Sequence, residues 1–227
     1  MFLDDLKSVL STPINPEIKS DMGYRLASVL VVIYGKSPKI IMTEKPKSMK
    51  LHAGEISFPG GKLDVVDFDL LETALRETSE EIGLKISKNQ VIGQLPPVRT
   101  LNSGFLILPF VSILDEIPQL VSNSEVETIF HMPLDSLLKT ITKDTDPNHN
   151  PVDDMYTFEY QAQIVWGASA RILKQIESKL HLWDSFKKSS SCLNIYGCTQ
   201  VLSKKNSSVK KNKTGFSGTC MDYSKNE

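Results

Sequence analysis

Apolar positions along this chain follow two different periods, and the switches between them mark out its elements. Leu3 to Leu10 predicts a short helix, followed by a turn-rich lead-in through Thr12-Pro13 and Asn15-Pro16. Ala27 to Tyr34 is β-branched and almost wholly apolar, the pattern of a buried strand. Lys39 to Thr43 predicts a second strand, joined to the first by the hairpin-like loop Gly35-Lys36-Ser37-Pro38. A short extended piece over Glu55 to Phe58 stops at Pro59-Gly60-Gly61. Leu71 to Ile82 is the strongest helical pattern, and Val91 to Leu95 and Phe105 to Leu114 predict further strands. Ser124 to Phe130 predicts a strand that leads, past Pro133, into a short helix over Leu134 to Thr140. The polar stretch Asp144 to Asp154 predicts a mobile surface loop. Tyr156 to Gln161 resumes a strand. Ala168 to Leu180 is a second amphipathic helix, with Ala168, Ile172, Leu173, Ile176 and Leu180 on one side.

Composition leaves this picture standing except at the C-terminus. The chain has 227 residues, 40% apolar and 23% charged, which excludes collagen-like, mucin-like or wholly disordered architectures. Its net charge of -1 conceals a split. Lys187 to Glu227 holds 8 lysines and 2 acids, a charge of +6, which leaves 18 basic and 25 acidic residues, or -7, in the body. In that last segment Leu, Ile, Val and Phe supply 6 of 41 residues, too little apolar surface to offset the entropy of ordering it. The expected organisation is a helical lead-in over 1–25, a folded domain over 26–184 and a disordered basic tail over 185–227. The tail's lysines lack interleaved aromatic residues, so a solvated tail is expected rather than a nucleic-acid contact.

The longest apolar run, Leu26 to Tyr34, is far short of the roughly 20 residues that cross a bilayer, and the acidic start lacks the features of a secretion signal. Cys192, Cys198 and Cys220 fit neither a common zinc spacing nor a closed disulfide framework. These features lead us to expect a cytoplasmic protein with reduced thiols and no membrane partner.

Charge within the best helix brings in chemistry. At about 100° per residue, Leu71, Ala74, Leu75, Thr78 and Ile82 form one narrow stripe that must face the core. Glu77, Glu80 and Glu81 fall on another flank, three and four residues apart, where like charges repel by about 0.2–0.5 kcal/mol per pair. Gly83 is placed to end the helix as a left-handed cap. Glu80 and Glu81 then stand in the last turn, where the helix dipole disfavours anions by roughly 0.3–1 kcal/mol. A bound divalent cation reverses that penalty. A few hard oxygen donors suit Mg²⁺ or Mn²⁺, which keep waters and share phosphate oxygens. The competing reading is a solvated acidic face. Two neighbours favour the cation: Arg76, able to hold the Glu80 carboxylate, and the turn Phe58-Pro59-Gly60-Gly61-Lys62, whose glycines let a phosphate or metal approach the backbone closely.

Gly61 followed by Arg76-Glu77-Thr78-Ser79-Glu80-Glu81-Ile82-Gly83-Leu84 resembles the signature of the Nudix hydrolases, Gly-x5-Glu-x7-Arg-Glu-U-x-Glu-Glu-x-Gly-U with U a bulky aliphatic residue. Asp67 stands at the first acid position with one extra residue before Arg76, and Thr78 replaces the first U. The stretch Met49-Lys50-Leu51-His52-Ala53-Gly54-Glu55-Ile56-Ser57-Phe58-Pro59-Gly60-Gly61 is similar to the segment that precedes the box in the coenzyme A pyrophosphatase branch. Further matches run through Ser103-Gly104-Phe105, Glu125-Val126 and Ile164-Val165-Trp166-Gly167, so the resemblance covers roughly Leu26 to Leu180.

The resemblance implies an α/β/α sandwich around a mixed sheet and a metal-dependent hydrolase of pyrophosphate bonds. For this branch it implies coenzyme A or acyl-coenzyme A as substrate, with 3′,5′-ADP and (acyl-)4′-phosphopantetheine as products. Carried over position by position, it makes Glu77 and Glu81 metal ligands and Glu80 a further ligand or the base, against a solvated acidic patch. Arg76 orients a carboxylate, and Gly61 supplies a carbonyl ligand or simply permits the turn. Glu125 stands where some relatives place a general base; the bland reading is a surface acid. His52, Lys50, Lys62 and Gly60 are candidate substrate contacts, against ordinary loop polarity. Trp166 reads as a core anchor before the last helix, not as a platform for base stacking. The rival substrates are ADP-ribose, for which Pro96-Pro97 speaks, and NADH, whose branch carries a cysteine module missing here. A non-catalytic nucleotide- or RNA-binding domain is the rival from another class, and a homodimer is compatible with all of these.

Overall fold

The computed structural model describes residues 2–18, 23–48, 53–149 and 155–195. Its centre is a parallel pair, β1 (Arg25–Tyr34) and β7 (Phe105–Leu114), in register along their whole length. Both strands are apolar on both faces, as strands covered by helices on each side must be. β2 (Lys39–Glu44) returns from β1 through the Gly35–Pro38 turn and pairs antiparallel with it only at Ile33–Ile40 and Tyr34–Lys39. Beyond that point the two strands part. The segment carrying β3 (Ile56–Ser57) and β4 (Gly60–Lys62) fills the fork: β3 pairs with β2, and β4 pairs with β1 through Ala27, Ser28 and Val29. β8 (Thr128–Pro133) adds to the far edge of β2, while β5 (Val91–Gln94) and β6 (Val98–Arg99) pair with β7. The result is a mixed eight-stranded sheet.

Alternation along the strands divides the core between two faces. Leu30, Val32, Leu108 and Phe110 pack with Leu70, Leu71, Ala74 and Ile82 of α2 (Leu70–Ile82). Val31, Ile33, Val111 and Ile113 pack on the opposite face with α1 (Leu3–Leu10), α3 (Leu134–Leu138) and α4 (Gly167–Ile195). This is the α/β/α sandwich around a mixed sheet that the sequence led us to expect. A small second sheet, β9 (Thr142–Lys143), β10 (Tyr156–Tyr160) and β11 (Gln163–Val165), leads into α4. No helix among the described residues is long and apolar enough to cross a membrane.

The fold departs from the sequence-based expectation towards its C-terminal end. α4 runs on past Asp184 to Ile195, and Lys187 pairs with Asp5 of α1 and lies over the Trp183 ring. Residues 196–227, most of the expected tail, lie outside the described residues. The stretch read as a surface loop is anchored in its first half, where Asp144 is buried and holds His149. Residues 150–154 of that loop lie outside the described residues.

Candidate active site

α2 carries most of the charged site, and its ends are well defined. Asp69 caps the N-terminus by accepting from the Glu72 N–H at 2.8 Å, and Gly83 closes the other end with φ 70°. Leu71, Ala74, Thr78 and Ile82 are buried as the stripe predicted, Leu75 partly so. The replacement of an aliphatic residue by Thr78 costs nothing in unpaired polarity, because its hydroxyl donates to the Ala74 carbonyl at 2.6 Å.

The three glutamates share a helix flank but not an environment. Glu81 is 3% exposed; one carboxylate oxygen accepts from the Gly60 N–H at 3.1 Å, and the other stands 3.6 Å from the Lys45 ammonium. Burial pushes its pKa up to about 7, against the pull of Lys45 and the Gly60 N–H. Glu77 is shifted in the same direction and chiefly by burial, with Arg76 opposing. Glu80 is the exposed member, held by Arg76 at 2.9 Å.

Arg76 is the hub. Its guanidinium grips Asp67 in a fork, Nε to Oδ1 at 2.9 Å and Nη2 to Oδ2 at 3.0 Å, and also reaches Glu77 at 3.0 Å and Glu80. The Asp67 side chain, nearly fully buried, accepts as well from Thr73 Oγ1 and the Asp64 N–H, and the Arg76 fork holds its pKa down to about 2. The extra residue before Arg76 therefore does not separate this pair.

β4 explains how carboxylates on one side of the sheet reach its fork. A Cβ on Gly61 would lie 2.4 Å from the Glu77 carboxylate, and one on Gly60 would lie 2.2 Å from the Ser28 carbonyl oxygen. Gly61 lets α2 lay the Glu77 carboxylate against this strand, and Gly60 lets the strand close on β1. Beyond the C-terminus of α2, the Asn123 N–H donates to the Glu81 carbonyl at 3.0 Å and Asn123 Oδ1 accepts from the Glu125 N–H. Glu125 thereby stands exposed, close enough for its charge to raise the proton affinity of both Glu77 and Glu81.

Gly60, Gly61, Lys45 and the exposed Lys62 line a cleft of about 310 Å³ that extends to Phe105, His149, Trp166 and Arg171. Trp166 is thus not a core anchor: its ring is half-buried, borders the cleft and stacks on His149. Lys50 and His52 lie outside the described residues. Lys45 had no signal of its own in the sequence; only the divergence of β2 from β1 brings it to Glu81.

Among the described residues, no three carboxylate, imidazole or thiol side chains enclose a cation on their own. The donor set nevertheless fits one. Glu77 and Glu81 are both desolvated carboxylates; the charge of Glu77 raises the proton affinity of Glu81, and that of Glu125 raises both. Mg²⁺-type ions are commonly held by one or two carboxylates, with waters and substrate phosphates completing the shell.

A mixed sheet between helices, with an Arg-Glu-x-x-Glu-Glu helix laid across a Gly-Gly strand, defines a class, and comparison with known proteins agrees. The NUDIX domain family matches residues 24–154, and the chain belongs to the Nudix hydrolases, which act on phosphorus-containing anhydrides and generally need divalent metal ions. It is 32% identical over 176 residues, 76% of this chain and 94% of the relative, to the "Uncharacterized Nudix hydrolase NudL" of Photorhabdus laumondii subsp. laumondii. To the protein of the same name from Pectobacterium atrosepticum it is 33% identical over 184 residues, 77% of this chain and 92% of the relative. A MutT/nudix family protein from Enterococcus faecalis shares the fold with a TM-score of 0.50 at 12% identity, covering 71% of this chain and 62% of that one.

Proposed function

We propose that this Nudix hydrolase cleaves the pyrophosphate bond of coenzyme A or an acyl derivative, giving 3′,5′-ADP and 4′-phosphopantetheine or its acylated form. The observation that carries the hydrolytic part is the meeting of Glu77 and Glu81 with the Gly60–Gly61 strand at the edge of a cleft. The choice of substrate is supported by the segment 49–61, whose last two residues, Gly60 and Gly61, begin that strand.

Glu77 and Glu81 hold the divalent cation, Mg²⁺ or Mn²⁺, with Glu80 and the Gly61 carbonyl as further donors. When bound, the ion neutralises the diphosphate and makes water a stronger nucleophile. Arg76 keeps Glu77 and Glu80 in place while itself anchored on Asp67. Glu125 accepts the proton of the attacking water. Water adds to one phosphorus, the bridging P–O bond breaks, and the departing phosphate keeps the electron pair. Lys45 and Lys62 face the diphosphate as cations, and Gly60 lets it approach the backbone. Lys50 serves as a further phosphate contact, and His52 as a contact to the 3′-phosphate or the nucleotide. A cytoplasmic setting, in which cysteines that form no closed disulfide framework stay reduced, and a homodimer are further parts of the proposal.

The test is turnover of the purified protein with Mg²⁺ or Mn²⁺ on coenzyme A, ADP-ribose and NADH. Release of 3′,5′-ADP from coenzyme A is expected. Preferential release of AMP from ADP-ribose would overturn the substrate assignment and leave the hydrolase class intact.

A further inference from the structure

Hydrolysis occupies the part of the cleft bordered by Gly60, Gly61, Lys45 and Lys62. It leaves Phe105, His149, Trp166 and Arg171 of the same cleft without a task. Three of these, His149, Trp166 and Arg171, are set up for a ligand.

Trp166 and His149 stack with ring centroids 4.0 Å apart and planes 3° from parallel. The His149 ring is itself fixed, since Nδ1 lies 3.0 and 3.1 Å from the two oxygens of Asp144, whose side chain is 1% exposed. A buried carboxylate spent on orienting an imidazole is costly unless the orientation matters.

Arg171, one and a half turns into α4 from Trp166, donates through Nη2 to the Arg99 carbonyl. Its Nε is buried without a hydrogen-bond partner among the described residues. No described carboxylate lies within ion-pair distance of it, and burial pulls its pKa down. A partly desolvated guanidinium with a free donor and no counter-charge among the described residues favours a forked contact with phosphate.

We infer that the Trp166–His149 stack and Arg171 form a nucleotide subsite of this cleft, in which the base packs on the aromatic pair and Arg171 takes a phosphate carried on the ribose. The inference rests on the coenzyme A reading, because that substrate's nucleotide carries a 3′-phosphate besides its diphosphate. The subsite would make the enzyme select for that extra phosphate at a point remote from the bond it breaks. It assigns the base and the ribose phosphate to different side chains, so the two contributions separate on mutation.

The experiment measures binding of 3′,5′-ADP and 5′-AMP by titration calorimetry without metal. It compares the wild type with Arg171→Met, Arg171→Lys and Trp166→Ala. Beside it runs turnover of coenzyme A and of its analogue lacking the 3′-phosphate. The wild type should bind 3′,5′-ADP at least about tenfold more tightly than 5′-AMP, the scale of one charge-assisted contact. Arg171→Met should abolish that preference and keep the affinity for 5′-AMP, which also shows that the variant is folded; Arg171→Lys should restore part of it. Trp166→Ala should weaken both nucleotides alike, by about tenfold or more. In turnover, Arg171→Met should raise KM for coenzyme A to that of the analogue and leave kcat within about threefold. A wild type indifferent to the 3′-phosphate, or a preference that survives Arg171→Met, overturns the subsite. If coenzyme A is not cleaved while the preference still runs through Arg171, the substrate reading fails and the subsite stands.

Discussion

Glu81 holds the main electrostatic conflict of the site. Its carboxylate is taken out of water and given only a backbone N–H and a lysine at 3.6 Å in exchange. Glu81→Gln removes the charge while an amide oxygen can still accept from Gly60. Turnover should fall by roughly three decades, about 4 kcal/mol of transition-state stabilisation, while thermal melting stays level or rises; activity near wild type would show the cation is held elsewhere. Asp67 is the opposite case. Its pKa lies at about 2 in the fold against 3.8 ordinarily, so its contribution is complete above 3.8 and is lost as pH falls through about 2. Urea unfolding between pH 5 and 2.5 should show the wild type losing stability more steeply than Asp67→Asn. The triad of glutamates and its arginine were legible in the sequence because spacing on one helix sets their relative positions. Lys45, Asp144 and Arg171 were not, because each acquires its role from a residue distant in sequence.

Among elements, β4 is the smallest and bears the tightest constraints. Its two glycines fail differently when given a side chain. At Gly60 an added Cβ meets backbone, the Ser28 oxygen and Val29 Cα, which cannot move without opening the ladder to β1. At Gly61 it meets only the end of the Glu77 side chain, which can swing away. Gly60→Ala should therefore cost at least about 2 kcal/mol of stability. Gly61→Ala should melt within a few degrees of wild type and lose at least about tenfold in kcat. Calorimetric melting and steady-state kinetics on the pair check both, and equal loss of stability in the two would contradict the geometry. Sequence patterning located the long strands β1 and β7 and the helix α2 closely, since each carries a full period of apolar positions. It could not show that β1 and β2 diverge after two paired residues, because that fork is filled by glycine and proline, which carry no periodicity.

Across the whole molecule, the proposed hydrolytic and recognition parts come from different stretches of chain. The first lies between Lys45 and Glu125 and the second between Arg99 and Arg171, with the central strands joining them. The fold class was legible because alternating buried strands and amphipathic helices admit few arrangements. The ring stack at Trp166 was hidden by an aromatic residue in an otherwise apolar run, which reads as core. Lys45 and Arg76 have one more consequence. Both stand as permanent counter-ions to the acidic trio, so the protein has no need of a metal to keep its shape. Chelation should stop turnover yet shift the melting temperature by only a few degrees, and re-addition of Mg²⁺ should return full activity without refolding. An enzyme built this way can idle intact when its ion is scarce and resume as soon as supply recovers.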